Sequence, residues 1–159
     1  MLQFEIDISD QQSLLAVSLE RLREVIDRVL TEESIETAQI SLALVDDASI
    51  HRINREFLGH DYPTDVISFH LNAESDAESS RESEVKHLEG ELVVSTETAL
   101  REAQTHGWTA EDELILYVVH GLLHLCGYDD LNDQARPVMR QRERHMLAIW
   151  QLTPTGLEA

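Results

Sequence analysis

The sequence predicts a single α+β domain, a roughly four-stranded mixed sheet packed with about five helices, with a metal site on a central buried helix. Three observations lead there. Short segments of period-two apolar patterning are interspersed with segments of helical period. The stretch "YVVHGLLHLCGYDD", residues 117–130, sets two histidines four apart in an apolar run that ends in a glycine and two aspartates. A chain of 159 residues with 42% hydrophobic content suffices for one sizeable core.

The N-terminal "LQFEIDI" alternates apolar and polar side chains and reads as the first strand. Between Leu14 and Leu30 the positions Leu15, Leu19, Leu22, Ile26 and Val29 recur at helical spacing, which predicts an amphipathic helix. "AQISLALV" is the second strand, and Asp46 or Asp47 caps a short helix over "ASIHRINREF". "GHDYPTD" has turn chemistry, after which "VISFHL" returns as a strand. Residues 72–86 are rich in Ser, Glu and Asp and predict a mobile acidic loop, while residues 152–159 read as a flexible tail. The fourth strand is "ELVVS", and Ser95 or Thr96 then opens a helix running to about His106.

"TAED", Thr109 to Asp112, resembles a capping box with Asp in place of Glu. The helix it opens, Ala110 to about Cys126, is apolar nearly all round and so belongs in the interior. Gly127 is its natural stop, because glycine tolerates the left-handed conformation that turns the chain away. Pro137 fits the first turn of a final helix through about Trp150.

Composition narrows the function. The longest apolar run, Leu114 to Cys126, is interrupted by His120 and His124 and falls well short of the roughly 20 residues of a membrane span. The N-terminus carries early acidic residues and no long apolar segment, so no signal peptide and no membrane partner are expected. A single cysteine fits a reducing compartment, and the cytoplasm is the expected location. With 31 acidic against 12 basic residues the net charge is −19, which repels nucleic acid at long range. DNA is not an expected partner, and any RNA substrate must be recognised against this field.

Residues four apart on a helix lie on one face, so His120 and His124 can direct their imidazoles at one point. Gly127 reverses the chain just beyond and can return Asp130 to the same place. His120, His124 and Asp130 are the candidate metal ligands, three protein donors with one position left for water as in catalytic zinc sites. The bland reading is a pair of buried histidines satisfied by carbonyls or carboxylates. Two polar groups in one apolar helix, followed at fixed offsets by a glycine and an acidic pair, favour the metal. Zinc is the first choice, with manganese or magnesium as alternatives. Asp129 is a candidate for orienting a ligand histidine, for assisting catalysis, or for replacing Asp130 as ligand. Gly121 sits where zinc proteases of the H-E-x-x-H type carry their general base, and that carboxylate is missing.

"HGLLHLCGYDD" resembles the H-G-x-x-H-x-x-G-Y-D-H signature of the YbeY family, bacterial rRNA maturation factors regarded as single-strand-specific metallo-endoribonucleases. "INREFLGHDYPTDVISF" resembles the family's stretch ending in P-T-D/N-V-L-S-F, and "GELVVS" resembles its Gly-Asp strand. Met139, Glu143 and Leu147 sit where the family tends to have Met, Glu and an aliphatic residue. The resemblance spans about Leu42 to Leu147 and implies a zinc ion, rRNA and the small ribosomal subunit as partners, and a role in small-subunit 16S rRNA 3′-end maturation and ribosome quality control. Three departures stand out. Asp130 replaces the third histidine ligand, Glu91 replaces the strand's aspartate, and the basic loop aromatic-Arg-Gly-Lys-Asp-Lys-Pro-Thr has become Phe57 to Thr64, with Leu58, His60 and Tyr62 at the basic positions.

Local cations must therefore come from elsewhere. Arg52 and Arg55 precede the loop, and Arg136, Arg140 and Arg144 recur every four residues along the final helix, so these five are the RNA-binding candidates, weighed against a solvated, carboxylate-paired face. The expected reaction is phosphodiester hydrolysis with a metal-bound water as nucleophile. Two rivals remain: a metzincin-like metalloprotease, disfavoured by Gly121, and a non-catalytic, zinc-stabilised ribosome-assembly factor whose acidic surface docks on basic ribosomal proteins.

Overall fold

A computed structural model describes residues 3–72 and 86–153. The predicted acidic loop and C-terminal tail fall largely on residues 73–85 and 154–159, outside the described residues. In chain order the elements are β1 (Gln3–Asp10), α1 (Leu19–Glu32), β2 (Thr37–Val45), α2 (Asp47–Leu58), β3 (Val66–His70), β4 (His87–Ser95), α3 (Thr96–His106), α4 (Ala110–Leu125) and α5 (Ala135–Ile149). The four strands form one sheet in the order β1-β2-β4-β3. β1–β2 and β2–β4 pair in parallel, while β3 closes the sheet antiparallel to β4. This is the mixed α+β architecture that the sequence predicts.

Most boundaries follow the local chemistry. Asp46, not Asp47, caps α2 by accepting from the Ser49 backbone N–H, and Ser95 caps α3 by accepting from Thr98. Thr109 caps α4, and Gly127 adopts φ +106° just past its end. Two boundaries differ from expectation. Helix α1 begins at Leu19 rather than Leu14, because Ser18 is the cap and the Gln12 amide holds Leu15 through both its backbone N–H and its carbonyl. Strand β4 begins at His87, four residues before "ELVVS", because its first half pairs with β2 from Thr37 onward.

The sheet is covered on both faces. On one side α1, α4 and α5 pack over Ile40, Leu42, Leu92 and Val94 to make the main core, and on the other α2 buries Ile50 against Val45, Ile67 and Val93. Helix α4 touches α1, α3, α5, β3 and β4, which is why an apolar sequence all round suits it. It approaches β4 closely through two reciprocal gaps. A Cβ on Gly121 would lie 2.7 Å from Leu92 Cδ2, and one on Gly90 would lie 2.5 Å from Leu125 Cδ1. Each glycine makes room for a leucine of the opposite element, so α4 is held at a fixed height on the sheet. No helix among the described residues is long and apolar enough to cross a membrane.

Candidate metal centre

His120 and His124 occupy the last two turns of α4, and the turn after Gly127 brings Asp130 back over them. The two Nε2 atoms are 3.1 Å apart, and Asp130 places Oδ2 at 3.7 Å from His120 Nε2 and Oδ1 at 3.8 Å from His124 Nε2. One donor atom from each residue lies within 4.8 Å of the other two. Tetrahedral zinc with bonds of about 2.0–2.1 Å separates neighbouring donors by about 3.3–3.4 Å. The observed separations bracket that edge.

Hydrogen bonding fixes which ring nitrogens converge. His120 donates its Nδ1 proton to the carboxylate of Glu143. His124 donates its Nδ1 proton to the Tyr128 carbonyl at 3.2 Å. The two Nε2 atoms therefore turn toward one point, where a shared proton or a divalent cation can stand between the rings. Burial disfavours the His120 imidazolium, but the hydrogen bond and charge of Glu143, with Asp65 and Asp130 near by, outweigh it and lift that group above its ordinary pKa. The donor set and its tautomers thus fit a divalent metal, with a carboxylate–histidine pair behind one ligand.

The residue behind His120 is Glu143 rather than Asp129. The Asp129 carboxylate accepts from the Leu131 backbone N–H and shapes the turn. Glu143 is only 2% exposed and shares the buried face of α5 with Met139, Met146 and Leu147. A charged residue at helical spacing among those apolar positions was the available sequence signal, since a buried carboxylate requires a partner.

The site opens into a cavity of about 460 Å³. Residues 63–66 form one wall, and His120, Asp130 and Glu143 contribute to the same lining. Of the five arginines singled out from the sequence, Arg136 and Arg140 reach this cavity. Arg136 is paired with Asp133 at 3.0 Å. Arg144 instead lines a separate groove with Tyr128 and Arg142, because each four-residue step on a helix overshoots a full turn by about 40°. Arg52 and Arg55 stand on α2, where Arg55 lies 4.0 Å from Asp61, and neither lines the cavity. Arg101 of α3 does line it, a position that no spacing rule selects.

Above the histidines, the same face of α4 carries Glu113 and Tyr117. Glu113 is 1% exposed and accepts from His106 Nδ1 at 2.7 Å and Trp108 Nε1 at 2.6 Å. Burial, the Glu113 charge and a hydrogen bond to it raise the Tyr117 hydroxyl far above its ordinary pKa, so it stays protonated. Gly121 faces Leu92 and Val66 of the sheet and is not among the residues that line the cavity. The position that carries the general base in H-E-x-x-H proteases is here a packing contact.

The family model described as Endoribonuclease YbeY matches residues 7–151. A Desulfitobacterium hafniense protein named Endoribonuclease YbeY is 42% identical over 119 residues, 75% of each chain. One of the same name from Halalkalibacterium halodurans is 34% identical over 157 residues, 96% of this chain and 99% of its own. The solution structure of TM1509 from Thermotoga maritima matches with a TM-score of 0.62 at 28% identity, over 92% of this chain and 91% of that one. Family match, near full-length relatives and shared fold agree: this chain belongs to the YbeY family.

Proposed function

We propose that the chain is a cytoplasmic, metal-dependent endoribonuclease that hydrolyses single-stranded RNA and acts in 16S rRNA 3′-end maturation and ribosome quality control. The observation that carries the reading is the convergence of two Nε2 atoms and the Asp130 carboxylate, with both Nδ1 atoms turned to other acceptors, in a chain whose relatives are named endoribonucleases. His120, His124 and Asp130 would hold the ion, with zinc preferred for two imidazoles and one carboxylate, and manganese or magnesium as competitors. When bound, such an ion supplies a water of lowered pKa and a Lewis acid for a phosphoryl oxygen.

The chain's own residues do the rest. Glu143 keeps the His120 proton on Nδ1 and so aims Nε2 inward. Asp130 brings one negative charge, which tempers the acidity of that water relative to a three-histidine set. Arg136 and Arg140 place positive charge in the cavity where a phosphodiester would enter.

The test is direct. Metal-loaded protein should cleave single-stranded RNA and spare duplex RNA, and His124→Ala should lose both stoichiometric metal and cleavage. Retention of one metal per chain in that variant, or cleavage at the wild-type rate, overturns the reading. A second reading, a metal-stabilised assembly factor docking on basic ribosomal proteins, is favoured by the net charge of −19. It predicts intact RNA in the same assay, together with aberrant pre-rRNA 3′ ends in a deletion strain.

A further inference from the structure

We propose that the loop joining α2 to β3 is a stacking platform for the unpaired bases of single-stranded RNA. The inference rests on the ribonuclease reading and assigns the surface by which that site holds its substrate. His60 and Tyr62 lie parallel, ring centroids 5.5 Å apart and planes within 7°. Tyr62 is 52% exposed and Phe57 is 69% exposed. Phe57 is braced edge-on against Phe69 at 6.3 Å and 80°. Three aromatic rings thus stand at the surface within six residues. The next residue, Pro63, begins the wall of the cavity that contains His120 and Asp130.

The loop is held in shape before any ligand arrives. Gly59, at φ +75°, ends α2 in the left-handed conformation, and the Gly59 and His60 N–H groups both donate to the Asn54 carbonyl. The Asn54 side chain, 2% exposed, donates from Nδ2 to the Tyr62 carbonyl at 2.9 Å. His51 Nε2 and Asp61 Oδ1 close the other side at 2.8 Å. A buried amide committed to the loop's backbone fixes the positions from which the exposed rings project, which reduces the ordering cost of binding.

Charge selects the occupant. With a net charge of −19 the chain gains little from counterion release. Stacking needs no charge, tolerates any base because every base has a π-face, and is available only where bases are unpaired. The platform therefore attracts single strands to an acidic protein and leaves duplexes alone.

Fluorescence anisotropy of a labelled oligoadenylate on the metal-loaded full chain tests this. Tyr62→Ala should weaken binding roughly five- to hundredfold while Tyr62→Phe stays near wild type. An abasic strand of equal length should bind weakly and equally to wild type and Tyr62→Ala. Metal content should be unchanged in both variants. Wild-type affinity in the Phe57→Ala, Tyr62→Ala double variant would overturn the proposal and leave this face to a protein partner, and tight binding of the abasic strand would overturn it as well. Cleavage of the same oligonucleotide is scored separately. Base-dependent binding without cleavage removes the ribonuclease reading and keeps the platform, whereas cleavage with unaltered variant binding does the reverse.

Discussion

The buried carboxylate of Glu143 on α5 accepts the Nδ1 proton of His120 on α4, and this contact decides that Nε2 is the nitrogen facing Asp130. It also links the last helix to the candidate metal ligands across 23 positions of sequence.

Glu143→Gln should keep the fold but supply a weaker, ambiguous partner for the imidazole. Metal affinity, measured by competition with a chromophoric chelator, should drop about 10–100-fold. Unchanged affinity would show that the carboxylate does not orient the ring.

Gly121→Val drives a β-branched side chain into Leu92 and Val66. Overpacking of this kind costs about 1–3 kcal/mol, more than the fraction of ~1 kcal/mol gained in helix propensity by leaving glycine. The urea midpoint should fall accordingly. A midpoint at or above wild type would mean that α4 can lift from the sheet without loss.

Asp47 binds no N–H of its own helix's first turn through its side chain. It joins α2 to α3, accepting from Ser95 Oγ at 2.5 Å, Thr98 Oγ1 at 2.7 Å and Arg101 Nη1 at 3.2 Å. Burial opposes ionisation, but these hydrogen bonds together prevail and hold its carboxyl below the ordinary value of 3.8. A folded-state pKa that is depressed adds stability above the unfolded value, and that stability is lost as the pH falls through the folded one. Asp47→Asn should therefore be less stable than wild type at neutral pH, with the gap narrowing below about pH 3.8. Denaturant titrations from pH 7 down to 3 give the comparison, and a gap independent of pH would refute it.

Burial, reinforced by the Glu33 charge, pushes the Cys126 thiol up to about 12. The nucleophile in alkylation is the thiolate, so iodoacetamide at pH 8 should label the native chain far more slowly than the urea-unfolded chain. Mass spectrometry follows the adduct, and equal rates would place the thiol in solvent.

Much of this was legible in residue order because its causes are local. The histidine pair at helical spacing, the Thr109 cap and the left-handed Gly127 are governed by φ, ψ and hydrogen bonds a few residues apart. The misplaced start of α1 had a local cause of another kind, whereas that of β4 was set by pairing with the distant β2. The Gln12 side chain outcompetes the first turn of α1, and no apolar period records such a bond. The arginine candidates show the limit most clearly. A four-residue repeat reads as one stripe, yet helical drift sends Arg144 to a different groove from Arg136 and Arg140.

By itself, then, the sequence determined the α+β class, the buried helix and the two histidines that share its face, since periodicity and capping act within a few turns. Only tertiary structure decided that Glu143 stands behind His120, that Gly121 packs on Leu92 and Val66, and that the α2–β3 loop runs at Pro63 into the wall of the cavity shared by His120 and Asp130. Those relations depend on how separately specified elements pack, and packing is set by side-chain volumes meeting across the sheet.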